Sequence, residues 1–221
     1  MKIDELIKQR HSTRAFLQQP VNEELIQEIL EIARYAPSGA NTQPWQVAIV
    51  TGKTKQRISD SLVMAYQQGL KPTADYVYYP ETWRSPYIDR RRACGLQLYQ
   101  SLEIDRKDKL AQQKQWEANY RAFDAPVMLL FFLAAEMQTG SFLDLGMFIQ
   151  NLMLAAQEKG LATCPQAALA EYPEPVKKIL GYPADTVLVC GMALGYEDKD
   201  AAVNQYRTAR EQVNAFTRFF Y

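Results

Sequence analysis

The sequence predicts a helix-rich α+β domain built around a small sheet, and three observations support this prediction. One continuous apolar run of strand length extends from Val127 to Leu133, and a second extends from Thr186 to Leu194. Both are typical of central strands that are covered on two faces. Between them, Phe142 to Lys159 carries apolar residues around most of a helical circumference, which indicates a buried helix.

The elements before these strands follow from hydrophobic periodicity. Asn22 is predicted to cap a helix whose apolar residues recur at helical spacing as far as Ala33, and Pro37 is predicted to stop it. Gln46–Thr51 is predicted to be a short strand, and Lys53–Gly69 is predicted to be a helix. The chain therefore follows a β-then-α order in this region.

The later connections are less regular. Gly160 ends the long helix, and the segment 162–169, stiffened by Pro165, favours a turn between two helices. We expect a single domain over residues 1–221, with an inserted aromatic-rich loop and helix segment at about 67–119. A C-terminal arm is expected at about 200–221, where four aromatic residues among the last six need cover from this chain or from a second subunit.

Composition excludes several classes of function. Twenty-five Lys and Arg residues balance 25 Asp and Glu residues, so no global field favours nucleic acid or an anionic membrane, and any anion site must be local. The charged N-terminus lacks a secretory signal, and the longest apolar run, Val127–Ala135, falls short of a membrane span of roughly 20 residues. The three widely spaced cysteines suit free thiols in a reducing compartment, so we expect a cytoplasmic protein.

The single histidine restricts the chemistry further. A zinc site or a Ser-His-Asp arrangement would each have to use His11, at no recognised spacing, so no metal is expected. The sequence contains neither a Walker loop nor a G-x-G-x-x-G fingerprint. Redox chemistry in this chain would therefore have to be carried by a cofactor.

The densest candidate anion site is the segment Arg10-His-Ser-Thr-Arg14, directly after the first helix. Two guanidiniums, an imidazole and two hydroxyls within five residues are suited to a phosphate, because arginine makes bidentate, charge-assisted contacts with phosphate oxygens. The alternative is a solvated basic loop. Arg207 and Arg210 could add charge to the same phosphate, or could be ordinary surface residues.

A second candidate is the connection from Ala36 to Trp45. Ser38 and Asn41 offer hydrogen bonds, and Gly39 allows the backbone to approach a flat, polar-edged ring closely. The alternative is an ordinary connection between a helix and a strand. In the third candidate, residues 162–169, the small Ala167 and Ala168 leave backbone N–H groups accessible to a ring nitrogen.

Together these segments resemble the nitroreductase family. The family's R-[RH]-S-x-[RK]-x-F segment is matched by Arg10, His11, Ser12, Arg14 and Phe16, and its A-P-S-x-x-N-x-Q-P-W segment is matched by Ala36, Pro37, Ser38, Asn41, Gln43, Pro44 and Trp45. The long central helix, the loop at Pro165, the G-x-A-L-G-Y sequence from Gly191 to Tyr196 and a basic position beyond it follow in the family's order. The resemblance spans nearly the whole chain.

The resemblance implies a homodimer with a small, mainly antiparallel sheet surrounded by helices and with FMN at the subunit interface. Arg10, His11, Ser12 and Arg14 would contact the FMN phosphate and ribityl chain, with Arg210 and Arg207 completing the phosphate site. Pro37, Ser38, Gly39 and Asn41 would reach the flavin bound mainly by the other subunit. The backbone of Pro165, Gln166 and Ala167 would face the reactive edge of the ring. The residue that contacts the pyrimidine edge is not identifiable between about 66 and 119.

The implied activity is ping-pong reduction of nitroaromatic or quinone-type acceptors by NAD(P)H, with no side chain acting as general acid or nucleophile. Another flavin reaction on the same fold (dehalogenation, ene reduction or flavin fragmentation) and a non-catalytic flavin-binding protein are the alternatives. The acceptor would be a small aromatic molecule, and the aromatic residues of the insert could either wall its pocket or simply pack together. Those residues are Tyr76, Tyr78, Tyr79, Trp83 and Tyr87.

Overall fold

The computed structural model of the protein describes residues 2–221, which form seven α-helices and four strands. In chain order these are α1 (Ile3–Gln9), α2 (Glu23–Ala33), β1 (Gln46–Val50), α3 (Gly52–Gln67), α4 (Tyr87–Ser101), α5 (Lys109–Glu117), β2 (Val127–Leu133), α6 (Thr139–Glu158), β3 (Ala162–Gln166), α7 (Pro173–Leu180) and β4 (Val187–Gly195). Short 3-10 turns lie at Gly39–Asn41, Ala118–Asp124, Ala167–Ala170, Ala202–Asn204 and Val213–Ala215.

The periodic elements form where the hydrophobic pattern predicts them. Asn22 caps α2, because its side-chain oxygen accepts a hydrogen bond from the Glu24 backbone N–H at 3.2 Å. The apolar runs predicted as central strands are β2 and β4, and the predicted buried helix is α6, which begins three residues earlier than expected, at Thr139. The α+β prediction is therefore confirmed.

The four strands make one antiparallel sheet in the order β1-β2-β4-β3. Gln46 pairs with Phe132, Met128 with Ala193, and Thr163 with Leu194. The two central strands are therefore β2 and β4, and the two outer strands are β1 and β3.

Helices cover the sheet on both faces because the side chains of β2 alternate between two hydrophobic clusters. Met128, Leu130 and Phe132 enter the first cluster together with residues of α3 and α7. The other residues of the strand enter the second cluster, with residues of α2 and α6. The long helix α6 is thus buried along the side that packs against this second face of the sheet.

The segment 162–169, predicted as a turn between helices, is instead the strand β3 followed by a 3-10 turn. Two features of the sequence explain why this strand was not predicted. The strand is only five residues long, and Pro165 within it has no backbone N–H to donate. Proline is tolerated here because β3 lies at an outer position of the sheet, where the hydrogen-bond ladder need not continue on both sides.

Two glycines of β4 let other segments approach the sheet closely. A Cβ atom on Gly191 would lie 2.4 Å from the Leu169 side chain, and one on Gly195 would lie 2.7 Å from Pro126 and 3.2 Å from Phe16. Gly191 therefore allows the 3-10 turn after β3 to pack on the sheet. Gly195 does the same for the segment that follows α1.

The region 67–119 begins with a stretch that is anchored to the sheet. The Asp75 carboxylate accepts a hydrogen bond from the Lys177 ammonium at 2.8 Å and another from the Leu188 backbone N–H at 2.8 Å. The Tyr76 hydroxyl donates to the Val189 carbonyl at 2.7 Å. These contacts fix the start of the region against the first residues of β4, before α4 and α5 extend from it.

No helix within residues 2–221 is long and apolar enough to cross a membrane.

We predict that Lys177→Met lowers the free energy of unfolding by about 3 kcal/mol, near the lower end of the cost of breaking a buried ion pair. The Lys177 side chain is only 7% exposed, whereas Asp75 keeps 19% exposure, which reduces the penalty of leaving its carboxylate unpaired. Urea unfolding of the flavin-free protein would measure the change. Lys178→Met, at the adjacent exposed position of α7, is the matched control. Equal stabilities of the two variants would contradict the prediction.

Candidate functional site

The segment from Arg10 to Arg14 runs in an extended conformation beside β3. Ser12 forms a parallel bridge with Thr163, and the Thr13 backbone N–H donates to the Thr163 carbonyl at 3.0 Å. Side chains of an extended segment alternate in direction. Ser12 and Arg14 therefore share one side, and His11 and Thr13 share the other.

A buried asparagine ties this segment to the C-terminal part of the chain. The Asn204 side chain accepts a hydrogen bond from the Arg14 backbone N–H at 2.8 Å and donates to the carbonyls of Ala15 (2.9 Å) and Asp198 (2.8 Å). The Arg14 guanidinium donates to the Tyr206 hydroxyl at 3.1 Å and to the Ser12 carbonyl at 3.2 Å. Residues about 190 positions apart in sequence thus meet at one place.

Three arginines gather around this junction. Burial, and then the nearby positive charge of Arg210, lower the pKa of Arg10 from its usual value. Arg10 and Arg14 both lie near the buried Cys164 thiol. Arg210 is oriented by a 2.7 Å hydrogen bond to the Thr208 hydroxyl. Within residues 2–221 none of the three arginines forms a salt bridge, so their positive charge is free for an anionic ligand.

The thiol beneath the arginines is unsuited to covalent chemistry. Burial raises the pKa of Cys164, and the positive charge of Arg14 and the hydrogen bond to Ser12 oppose that shift only in part. Burial also raises the pKa of Cys190, to about 12. Because a thiolate is the reactive form, neither cysteine is a candidate nucleophile at neutral pH.

His11 and Arg207 lie on the opposite side of the same segment. The His11 Nε2 atom is 2.8 Å from a Glu197 carboxylate oxygen, and Arg207 donates to the carbonyls of Asn204 and Tyr206. Both line a cavity of about 890 Å³, to which Arg10 also contributes and Ser12, Arg14 and Arg210 do not. Three carboxylates, from Glu197, Asp198 and Asp200, also line this cavity, together with the cationic side chains of Lys8, Arg10, Lys199 and Arg207.

The loop between α2 and β1 is attached to α6 at two points. The Gly39 backbone N–H donates to Asp144 at 3.2 Å, and the Trp45 ring stacks on Phe148, with centroids 4.9 Å apart. Asp144 and Phe148 are four residues apart and so lie on the same face of the helix. No hydrogen bond links residues 37–41 to Arg10–Arg14 in the part of the chain that the structure describes.

This loop also holds an unusual backbone. Ala40, Asn41 and Gln43 have φ angles of 49°, 56° and 49°, in the left-handed region that non-glycine residues rarely adopt. A hydrogen bond from the Gln43 backbone N–H to the Ser38 hydroxyl, 2.9 Å long, closes the turn. Pro37, Gly39 and Asn41 are exposed, and Ser38 is partly buried. Strained, exposed conformations held in place by surrounding contacts are typical of ligand-binding loops.

The end of β3 places a buried amide at the third candidate segment. The Gln166 side chain is 4% exposed, and its amide nitrogen donates to the Asn119 carbonyl at 3.0 Å and to the Asn119 side-chain oxygen at 3.2 Å. Its amide oxygen is buried without a hydrogen-bond partner. Pro165 is exposed and Ala167 is partly buried, so the backbone at this strand end is open to a ligand.

The aromatic residues of the insert differ in their surroundings, although the rings of Tyr76 and Tyr78 lie 6.1 Å apart. Tyr76 packs on Phe142 and donates to the sheet, so it belongs to the core side, and burial raises its pKa. Tyr78, Tyr79 and Trp83 form a continuous group, with centroids 4.5 Å and 5.6 Å apart. Tyr87, at the start of α4, contacts Arg90 instead.

Sequence reasoning did not identify Asp144, Asn119, Asn204 or Tyr206. One of these gives a signal in the sequence, because Asp144 is the single charged residue between Thr139 and Gln157 in an otherwise apolar helix. A charge retained in such a setting indicates a partner. Asn119, Asn204 and Tyr206 lie in polar stretches where nothing distinguishes them from surface residues.

Comparison with known proteins identifies the family and the fold. A sequence model of the nitroreductase family matches residues 7–196. The chain is 39% identical to the chloronitrobenzene nitroreductase of Comamonas testosteroni, covering 98% of this chain and 96% of that protein. It is 38% identical to the 4-nitrobenzoate reductase of Pseudomonas putida, covering 98% and 94%. The crystal structure of the FMN- and NADPH-dependent nitroreductase NfnB from Sphigopyxis sp. strain HMH superimposes with a TM-score of 0.97 at 37% identity, covering 100% and 99%.

Proposed function

This chain belongs to the nitroreductase family, and we propose from that premise that it is an FMN-dependent oxidoreductase that uses NAD(P)H to reduce nitroaromatic or quinone-type acceptors. The observation that carries the proposal is the meeting of Arg10, Arg14 and Arg210, three arginines from opposite ends of the chain that lack a carboxylate partner. Similar proteins named for nitroaromatic reduction align with nearly its full length.

The residues present fit FMN. Burial, and then the nearby positive charge of Arg210, lower the pKa of Arg10. A phosphate would relieve the repulsion between these guanidiniums through bidentate contacts. Ser12 lies beside the same group and can donate a hydroxyl hydrogen bond. The unpartnered oxygen of Gln166 marks a polar position near the strand end assigned to the reactive edge of the ring.

When bound, FMN supplies the redox chemistry, because it can accept a hydride from NAD(P)H and deliver electrons to an acceptor. The chain supplies binding and orientation. Its arginines would hold the phosphate, the backbone from Pro165 to Ala167 would face the ring, and the aromatic group of the insert would bound the space for acceptors. Reduction of a nitro group to a nitroso group consumes one hydride and one proton and releases water, and no side chain of this chain has to act as nucleophile.

The assembly we propose is a homodimer. The arm carries Phe216, Phe219, Phe220 and Tyr221, all largely exposed, and α6 exposes Leu143 and Met147. Exposed apolar groups of this kind are typical of obligate interfaces. In such a dimer the loop at Pro37, Ser38, Gly39 and Asn41 would reach the flavin of the other subunit, which accounts for its lack of contact with the arginines of its own chain.

The protein also carries three free cysteines, which supports a cytoplasmic location, where thiols stay reduced.

The purified protein should contain non-covalent FMN. NADPH or NADH should reduce that flavin once, and continuous turnover should occur only when an acceptor such as nitrobenzene is present. Because donor and acceptor use one space over the ring in turn, double-reciprocal plots should be parallel. Stopped-flow absorbance and steady-state rates would measure both. Release of FAD instead of FMN, intersecting plots, or no acceptor-dependent turnover would contradict the proposal.

Arg14→Ala and Arg210→Ala should each weaken FMN binding roughly ten- to a hundredfold, because each removes a charge-assisted partner of about 1.5–3 kcal/mol. Riboflavin has no phosphate, so its affinity should change little. The two effects should be non-additive because they share one ligand group. Fluorescence titration of the apoprotein with both flavins gives the measurement, and Arg218→Ala, an exposed arginine of the same arm, is the control. Equal losses for FMN and riboflavin would mean that these arginines hold the fold.

Light scattering should give twice the mass of one chain, and the double variant Phe219→Ser, Phe220→Ser should shift the population toward monomer and weaken FMN binding. Both effects are expected because the arm's aromatic rings would lose their apolar cover on the partner. Met64→Ser is the control, since Met64 is exposed on α3, across the sheet from α6. An active monomer of the unaltered chain would refute the dimer.

A further inference from the structure

A row of aromatic rings on the insert ends in an arginine. The rings of Tyr78 and Tyr79 meet edge to face at 4.5 Å, and the ring of Tyr79 lies 5.6 Å from that of Trp83. The Arg91 guanidinium carbon lies 5.0 Å from the Trp83 ring centroid. The row therefore presents flat apolar surface and a fixed positive charge next to each other.

Both parts of the row are available to a ligand. Tyr78 and Tyr79 are 57% and 53% exposed, although they are large aromatic side chains. Arg91 forms no salt bridge anywhere in residues 2–221, whereas the preceding Arg90 is paired with Glu211 at 2.8 Å. Asp89, the nearest acidic residue in sequence, accepts a hydrogen bond from Ser85 instead. The charge of Arg91 is thus uncompensated.

The row lies beside the proposed flavin site. Burial raises the pKa of Tyr79, and the nearby charges that act on it include Arg91, which opposes the shift, and Glu171, four residues beyond Ala167. Cys94 is also a neighbour of Tyr79 and of Tyr206, whose hydroxyl binds Arg14. Arg91 lies on α4, whose neighbouring Arg90 pairs with Glu211, the residue after Arg210, at 2.8 Å. Tyr78, Tyr79 and Trp83 lie in the segment directly before α4, so the row lies near the phosphate arginines.

We propose that this row is an acceptor subsite for aromatic rings that carry a carboxylate, with Tyr79 and Trp83 contacting the ring and Arg91 binding the carboxylate. The inference rests on the proposed function, whose acceptor class it narrows to carboxylated nitroaromatics. The planar fork of arginine matches a carboxylate in a bidentate manner, and stacking on Trp83 holds that fork in place. A ring and a carboxylate in one small molecule satisfy both parts of the row at once.

The other anion that would distinguish the two donors is the 2′-phosphate of NADPH, which NADH lacks. That phosphate belongs to a long, flexible molecule whose nicotinamide must lie on the flavin, so a contact with Arg91 would change the ratio of NADPH to NADH use. A contact with an acceptor carboxylate would leave that ratio unchanged. The two sources are therefore separable by experiment.

The test compares 4-nitrobenzoate with its neutral methyl ester in the FMN-loaded protein. Arg91→Gln should lower kcat/KM for 4-nitrobenzoate about tenfold, mainly through KM, because it removes one charged contact. The ester and the NADPH to NADH ratio should stay within about twofold. Arg92→Gln is the matched control, since Arg92 is the adjacent exposed arginine and contacts no aromatic ring in the described chain.

Calorimetric titration with benzoate, which is not reduced, gives a readout independent of turnover. Benzoate should bind the unaltered protein and the Arg92→Gln protein equally well, and should bind the Arg91→Gln protein about tenfold more weakly. Benzamide, which is neutral, should bind all three proteins with the same affinity. Equal losses for acid and ester would overturn the proposal, as would a changed NADPH to NADH ratio with an unchanged acid to ester ratio. If the unaltered protein reduces neither acceptor, the proposed function fails, and the benzoate titration still decides the subsite.

Discussion

The rest of the structure depends on the requirement that β2 be covered on both faces. Every residue of this strand is apolar and buried. A single layer of helices would leave one face in water, at a cost of about 25 cal/mol per Å² of apolar area. The chain answers this constraint by placing α2 and α6 on one face and α3 and α7 on the other.

The outer position of β3 explains why the candidate site is where it is. Interior strands have no unpaired backbone groups, whereas an outer strand presents a free row of donors and acceptors. The segment from Arg10 to Arg14 uses that row, because Thr13 donates to Thr163 and Ser12 bridges the same residue. The same five residues thus cover the open edge of the sheet and place two arginines beside it. Gly191 completes the arrangement by letting the turn after Gln166 pack on the sheet.

Three features of the isolated chain are unfavourable by themselves. These are the grouped arginines, the left-handed residues of the loop after α2, and the exposed aromatic rings of the arm. We interpret each as a place completed from outside: the arginines by a phosphate, and the loop and the arm by a second subunit. On this interpretation cofactor binding and assembly are linked, because a loop that serves the partner's flavin is positioned only when the partner is present. Asp144 connects the loop to helix α6, since it lies on that helix and accepts a hydrogen bond from the Gly39 backbone N–H.

The sequence by itself determined the periodic elements, the central strands and the segments at Arg10–Arg14 and Ala36–Trp45, because hydrophobic repeats and local motifs depend on neighbours within a few residues. It did not reveal β3 as a strand, since a five-residue segment containing proline has no clear period. Only the tertiary structure decided that Arg14 meets Asn204 and Tyr206, that His11 pairs with Glu197 and lines a cavity to which Arg14 does not contribute, and that Arg91 stacks on Trp83. Each of these contacts except the last joins residues more than 180 positions apart, and even Arg91 and Trp83 are separated by a turn into α4. Such pairings follow from how the packed layers direct the connecting segments, which no local pattern encodes.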